Sequence, residues 1–259
     1  LAAEQDPLAT KIDNLILVGS PQVGTPDAVT SLLHGAALVG GWVVSAEMSR
    51  HILNDAPMGY HLMPNEQYFA GEGVSVETPV VVFDTGTATA PYITQFGSEI
   101  NTEAGLAAYI GTVSERPQPE HDDLYTPAVG NDTLLAYAEE MANTLAEWTP
   151  TGTMRVYQLA GSGIWTPKTL RYFSGTHCVD HVLLSFGCRE YEPQLQHETY
   201  FTRDGDGTVV LPSALAMTET DTVERWWLNL DRYNSINFSS FAHKNMMEIE
   251  EVSDYIQAV

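Results

Sequence analysis

Lysine is nearly absent from this chain: Lys11, Lys168 and Lys244 are the only three in 259 residues. Eleven basic residues stand against 34 acidic ones, a formal net charge of −23. Such a field repels phosphate backbones, so nucleic acid is excluded as an expected partner. An acidic, lysine-poor surface suits a salty medium, and it equally suits plain solubility. No apolar run reaches the roughly 18 residues a membrane helix needs, so no transmembrane segment is expected. Leu1-Ala2-Ala3-Glu4 shows no basic stretch followed by an apolar one, so the residues at hand contain no signal peptide. Internal repeats and low-complexity tracts are also missing. Cysteine is limited to Cys178 and Cys188, which flank a segment readable as a hairpin. A disulfide at its base would place the chain in an oxidising, secreted or extracytoplasmic setting; two buried thiols are the alternative. His177, Asp180 and His181 lack a regular ligand spacing, so no metal is expected there, and no cofactor.

What is present reads as α/β. Ile12 to Val18 is a short apolar run stopped by Gly19-Ser20-Pro21, the signature of a buried parallel strand. Thr25 is placed to cap a helix that has Pro26 at its first position and Gly35 beyond its end. Residues 1–35 therefore form a core strand and helix. Residues 36–130 read as a cap or lid insertion, rich in large apolar side chains up to about Gly73, with a short strand from Thr78 to Phe83. Residues 84–130 look loop-like, with the acidic cluster Glu120 to Asp123 expected to be solvated. Residues 131–259 form a C-terminal core. It contains a helix capped by Asp132, a strand from Met154 to Ala160 and the cysteine hairpin. A buried strand from Val223 to Leu230 and a helix from Lys244 to Ile256 complete it. Strands alternating with helices argue a mostly parallel sheet.

Two short segments carry chemistry. Asp204-Gly205-Asp206-Gly207-Thr208-Val209 is an acidic glycine turn without the carboxylate spacing of a calcium loop. Phe241-Ala242-His243-Lys244-Asn245-Met246 places a histidine after the last strand. An acid followed by a histidine, each on a loop after a late strand, is the order of an α/β-hydrolase triad.

With these segments in order, the sequence resembles the lecithin:cholesterol acyltransferase-like family of α/β-hydrolases. Ile12 to Gly24 is similar to the strand and loop that follow the nucleophile's helix, and Tyr60-His61-Leu62-Met63-Pro64 to a segment of the cap. Val156 to Gly163, with Thr166-Pro167, resembles the strand before the acid; Gly205 to Val209 resembles the acid loop, and His243 to Met246 the histidine loop. The resemblance implies an α/β-hydrolase-type sheet, with helices on both faces and a cap. Asp206 and His243 would be catalytic, and Trp42, Met63 and Phe69 in the cap would face a lipid or ester substrate.

The family's nucleophile lies in G-x-S-x-G, and no such motif occurs in this sequence; Ser20 and Ser162 have the wrong surroundings. The oxyanion hole and the first strands of the sheet would be missing with it. An acid–base pair alone forms no acyl-enzyme. The expectation is therefore part of a serine-type ester hydrolase or acyltransferase, inactive as an isolated chain. The serine would come from an N-terminal segment or a second chain. The competing expectation is an inactive descendant that binds lipid or a protein.

Overall fold

The structure, a computed structural model, describes residues 11–36, 44–71, 79–146, 148–150, 153–181 and 188–259. Three strands form a parallel sheet in the order β1 (Asn14–Val18), β4 (Arg155–Ser162) and β7 (Val223–Asn229). β4 is central, and its residues from Val156 to Gly161 are all buried, which is why its sequence is apolar with little alternation. β7 is paired only through β4, so it is an edge of this sheet among the described residues. Its expected burial is corrected accordingly: Trp226 stacks on Tyr255 at 5.7 Å, while Trp227 stays largely exposed.

A second sheet has the order β3 (Glu99–Ile100), β2 (Val81–Phe83), β5 (Thr166–His181) and β6 (Cys188–Thr202). β2 runs parallel to β5, and the other pairs are antiparallel. The cysteine hairpin is thus a long ribbon whose inner half completes the sheet begun by β2. The residues expected as a separate strand, Glu198 to Phe201, are the end of β6. Cys178 and Cys188 are bridged, with Cα atoms 5.7 Å apart.

Helix α1 (Pro26–His34) begins as expected after Thr25. The segments expected to be irregular contain more helix than their composition suggested. They hold α2 (Ala46–Asp55), α3 (Pro57–His61), α4 (Glu66–Ala70), α5 (Ala90–Phe96) and α6 (Glu103–Ile110). The starts are set locally: Ser45, Asn65 and Thr102 each accept a backbone N–H at the head of a helix. Leu106, Tyr109 and Ile110 are buried, joining Phe83, Tyr172 and Tyr68 in an aromatic-rich core. α7 (Asp132–Ala146) is capped by Asn131, whose Oδ1 accepts the N–H groups of Thr133 and Leu134; Asp132 binds Thr112 instead. The acidic cluster is also less free than expected. Arg50 donates to the carbonyls of Glu120, His121 and Asp123, pinning that loop by its backbone. Past β6 come α8 (Leu211–Ala214), then β7, then α9 (Leu230–Asn237). The last expected helix is split into a 3₁₀ turn at His243–Glu248 and α10 (Glu250–Ala258). Among the described residues no helix is long and apolar enough to cross a membrane.

Gly24 packs closely against the Met63–Pro64 backbone. Its φ is +94°, and a Cβ there would lie 2.2 Å from the Met63 carbonyl oxygen. Gly97 has φ +82° but meets nothing closer than 3.8 Å. Gly24→Ala is expected to cost at least about 2 kcal/mol more than Gly97→Ala, because only the first adds a backbone collision to the shared left-handed strain. Urea denaturation of the two variants checks this; equal midpoints would contradict the described approach.

Candidate active site

The parallel sheet decides where the site lies. The chain leaves β4 at Ser162 and turns at Gly163. It then makes the whole β5–β6 excursion and returns at Arg203. The two ends of that excursion are tied together: Gly163 N–H donates to Arg203 O, and Ile164 N–H to Gly205 O. Asp206 follows immediately, so although it is far along the chain it stands just past the carboxyl end of β4. His243 follows β7 and α9, past the end of the adjacent strand. Loops beyond the carboxyl ends of neighbouring parallel strands converge, which is where α/β proteins place their sites.

Asp206 and His243 meet there. His243 Nδ1 lies 2.8 Å from Asp206 Oδ2, and His243 N–H donates to the Asp206 carbonyl at 2.8 Å. The Asp206 side chain is 1% exposed and the His243 side chain 32%. A buried carboxyl needs donors. Oδ1 accepts the N–H groups of Thr208 at 3.1 Å and Val209 at 2.9 Å. Nδ1 therefore donates to Oδ2, and Nε2 is left as the nitrogen that can take up a proton. The hydrogen bond that His243 donates to Asp206 raises the His243 pKa above the ordinary 6.5; partial burial opposes it, and the charge of Asp206 adds to the rise.

Residues that the sequence did not single out frame this pair. Gly19, directly after β1, has φ +59°, and its N–H donates to Leu159 O. A Cβ there would lie 3.1 Å from both Asp206 Oδ2 and His243 Nδ1, so a side chain at this left-handed position would press on the pair. Thr166, fully buried, accepts the Gly207 N–H and donates to Ile164 O, fixing the acid turn at the hairpin base. Thr25 donates to Thr208 O at 2.8 Å. Gln158, buried on β4, binds the Met217 backbone and Gln22, which holds the return from the acid loop against the loop after β1. The sequence signals were faint: Thr166 was visible as part of the Thr-Pro pair, and Thr25 as a helix cap.

A cavity of about 330 Å³, mostly apolar, is lined by Gln22, on the loop after β1, and by Met63, Leu106, Ile110, Leu135 and Met141 among others. Met63 lines this cavity. Phe69 instead packs, partly buried, against the aromatic core. Trp42 lies outside the described residues. His177, Asp180 and His181 form no metal cluster, and no group of three metal-ligating side chains occurs among the described residues.

A parallel α/β sheet with an acid and a histidine meeting past adjacent strands is the architecture of the α/β-hydrolases. The chain belongs to the Lecithin:cholesterol acyltransferase family, whose profile matches residues 2–252. It is 23% identical over 225 residues to Lecithin-cholesterol acyltransferase-like 4 of Arabidopsis thaliana; the match takes in 79% of this chain and 37% of that protein. The chain thus spans little more than a third of the length of that curated relative. Among solved structures it is similar to a chain of the Tle4–Tli4 complex, with a TM-score of 0.43 and 13% identity, over 87% of this chain and 52% of that one.

The raised His243 pKa has a testable sign. The native state holds this proton more tightly than the unfolded chain. The pair's stabilisation is therefore complete below the ordinary 6.5 and is lost as pH rises through the higher native value. NMR titration of the imidazole should give a midpoint above 6.5, and Asp206→Asn should bring it down. A midpoint unmoved by Asp206→Asn would sink the pairing.

Proposed function

We propose that this chain supplies the acid and the base of a serine-type ester hydrolase or acyltransferase acting on lipid-like esters. The single observation that supports this most is the buried Asp206 held by two N–H donors on one oxygen and by His243 on the other. In that arrangement Nε2 of His243 takes the proton of a serine hydroxyl as it attacks the ester carbonyl, then passes it to the departing alcohol oxygen. Asp206 holds the tautomer with the proton on Nδ1 and stabilises the imidazolium formed in between. Hydrolysis and acyl transfer share this first half; they differ in whether water or an alcohol takes the acyl group from the serine.

The serine and its oxyanion hole are proposed to lie outside these 259 residues, since no G-x-S-x-G occurs among them. The family membership supports lipid esters as the substrate class. The cavity between the cap residues and the core supports an acyl-chain site, its volume lying at the low end of the roughly 300–1,000 Å³ of ligand pockets. The bridged cysteines support an extracytoplasmic location.

The test is turnover of p-nitrophenyl esters by the chain alone and by the chain joined to a G-x-S-x-G segment encoded beside it. The chain alone is expected to be inert. The joined protein should turn over, and His243→Ala or Asp206→Asn should lower kcat by about 10⁴. Turnover by the isolated chain that is abolished by His243→Ala would place the nucleophile within these residues and overturn the division. No turnover in any combination, with lipid binding retained, would favour the inactive descendant.

Chain-length selectivity gives a second measure. Filling the cavity by Met63→Trp should raise KM for long acyl esters about tenfold while leaving acetate esters nearly unchanged. Equal effects on both would remove the cavity from the substrate path.

A further inference from the structure

Thr25 occupies the N-cap position of α1, with the extended backbone that position needs, φ −142° and ψ 136°. A threonine there ordinarily turns its oxygen to a free N–H of the first helical turn, an interaction worth about 1 kcal/mol. Thr25 makes no such bond. Pro26 at the first helical position removes one of the free N–H groups, which lowers the cost of leaving the cap unmade. The hydroxyl hydrogen goes elsewhere: it is donated to the carbonyl of Thr208, 183 residues away, at 2.8 Å. The residue is 4% exposed, so water does not compete strongly for that hydroxyl.

The carbonyl of Thr208 and the N–H of Val209 belong to one trans peptide, in which the two bonds point in opposite directions. Drawing the carbonyl to Thr25 therefore aims the N–H the other way, where it meets Asp206 Oδ1 at 2.9 Å. Oδ1 is thereby occupied and Oδ2 is presented to His243 Nδ1. Thr25 is itself anchored: its N–H donates to Leu62 O in the cap segment at 2.8 Å, and the Gly24 backbone beside it presses against Met63.

We infer that Thr25 is a positioning residue for Asp206, its hydroxyl fixing the 208–209 peptide so that the carboxylate keeps one oxygen for the backbone and the other for His243. The inference rests on the proposed role of the Asp206–His243 pair. It assigns to a helix-cap threonine a role in the acid turn, and it links the cap segment at Leu62 to the catalytic pair through one side chain.

The experiment is NMR titration of His243 in the full 259-residue chain, with the signal assigned by its loss in His243→Gln, and with the far-downfield Nδ1 proton followed alongside. Thr25→Val keeps the shape and removes the hydroxyl; Thr25→Ser keeps the hydroxyl and removes a methyl group. Thr25→Val is expected to lower the His243 midpoint by about half a unit and to broaden the Nδ1 proton by faster exchange. Thr25→Ser should leave both as in the parent. If Thr25→Val does not fold, Thr25→Ala set against Thr25→Ser makes the same comparison, since the hydroxyl alone separates them. An unchanged midpoint and proton in the hydroxyl-free variant would overturn the inference, as would a serine variant shifted as far as the valine one. An ordinary midpoint with no downfield proton in the parent chain would overturn the pairing itself, and with it the proposed function.

Discussion

A carboxyl group that is 1% exposed, as Asp206 is, tolerates burial only if donors replace the water it has lost. That requirement shapes everything around it. Two backbone N–H groups serve one oxygen and the imidazole serves the other. Those N–H groups point inward because Gly207 gives the turn its φ of +104° and because Thr166 and Thr25 hold the turn at its two ends. The result is a carboxyl without rotational freedom, which is the property a histidine-orienting acid needs.

The parallel sheet brings the partners to one place. β4 and β7 lie side by side, and their following loops carry Asp206 and His243, while the end of β1 closes against both with Gly19. The long disulfide-bridged hairpin between β4 and Asp206 does not disturb this, because its outgoing and returning ends are hydrogen-bonded together at Gly163 and Arg203. An excursion closed at its base behaves, for the site, like a short connection. The hairpin also completes the sheet started by β2, so the second sheet draws strands from both sides of α7 in the chain.

The aromatic core has a different role. Phe83, Tyr109 and Tyr172 pack ring against ring, with Phe83 and Tyr172 stacked at 5.1 Å. Such pairs resist sliding and hold α6 against β2 and β5. The cavity lined by Met63 is left between this rigid core, α7 and the loop after β1. Its wall at Gln22 belongs to the same loop that begins with Gly19, so cavity and acid–base pair share one piece of backbone.

Much of this was legible in the residues. The apolar run at Leu15 to Val18 marked a parallel strand, although as an edge of the described sheet it is only part-buried and not buried as expected. The apolar β4 sequence, the Asp-Gly turn and the late histidine are local signals, because turn chemistry and apolar runs are written in neighbouring side chains. The order of acid and base identified the fold type, since chain order survives without coordinates. What the residues did not show was set by distant partners. The helices α2, α4 and α6 were missed in segments of irregular pattern, and their side-chain caps show where each one starts. β7 read as buried because Trp226 and Trp227 are apolar, yet an edge strand leaves one of them in solvent. Thr25 read as a helix cap because its neighbours on both sides are those of a helix start. Its hydroxyl serves Thr208 instead, because folding brings a carbonyl 183 residues away within reach of a buried donor, and no local pattern encodes that distance.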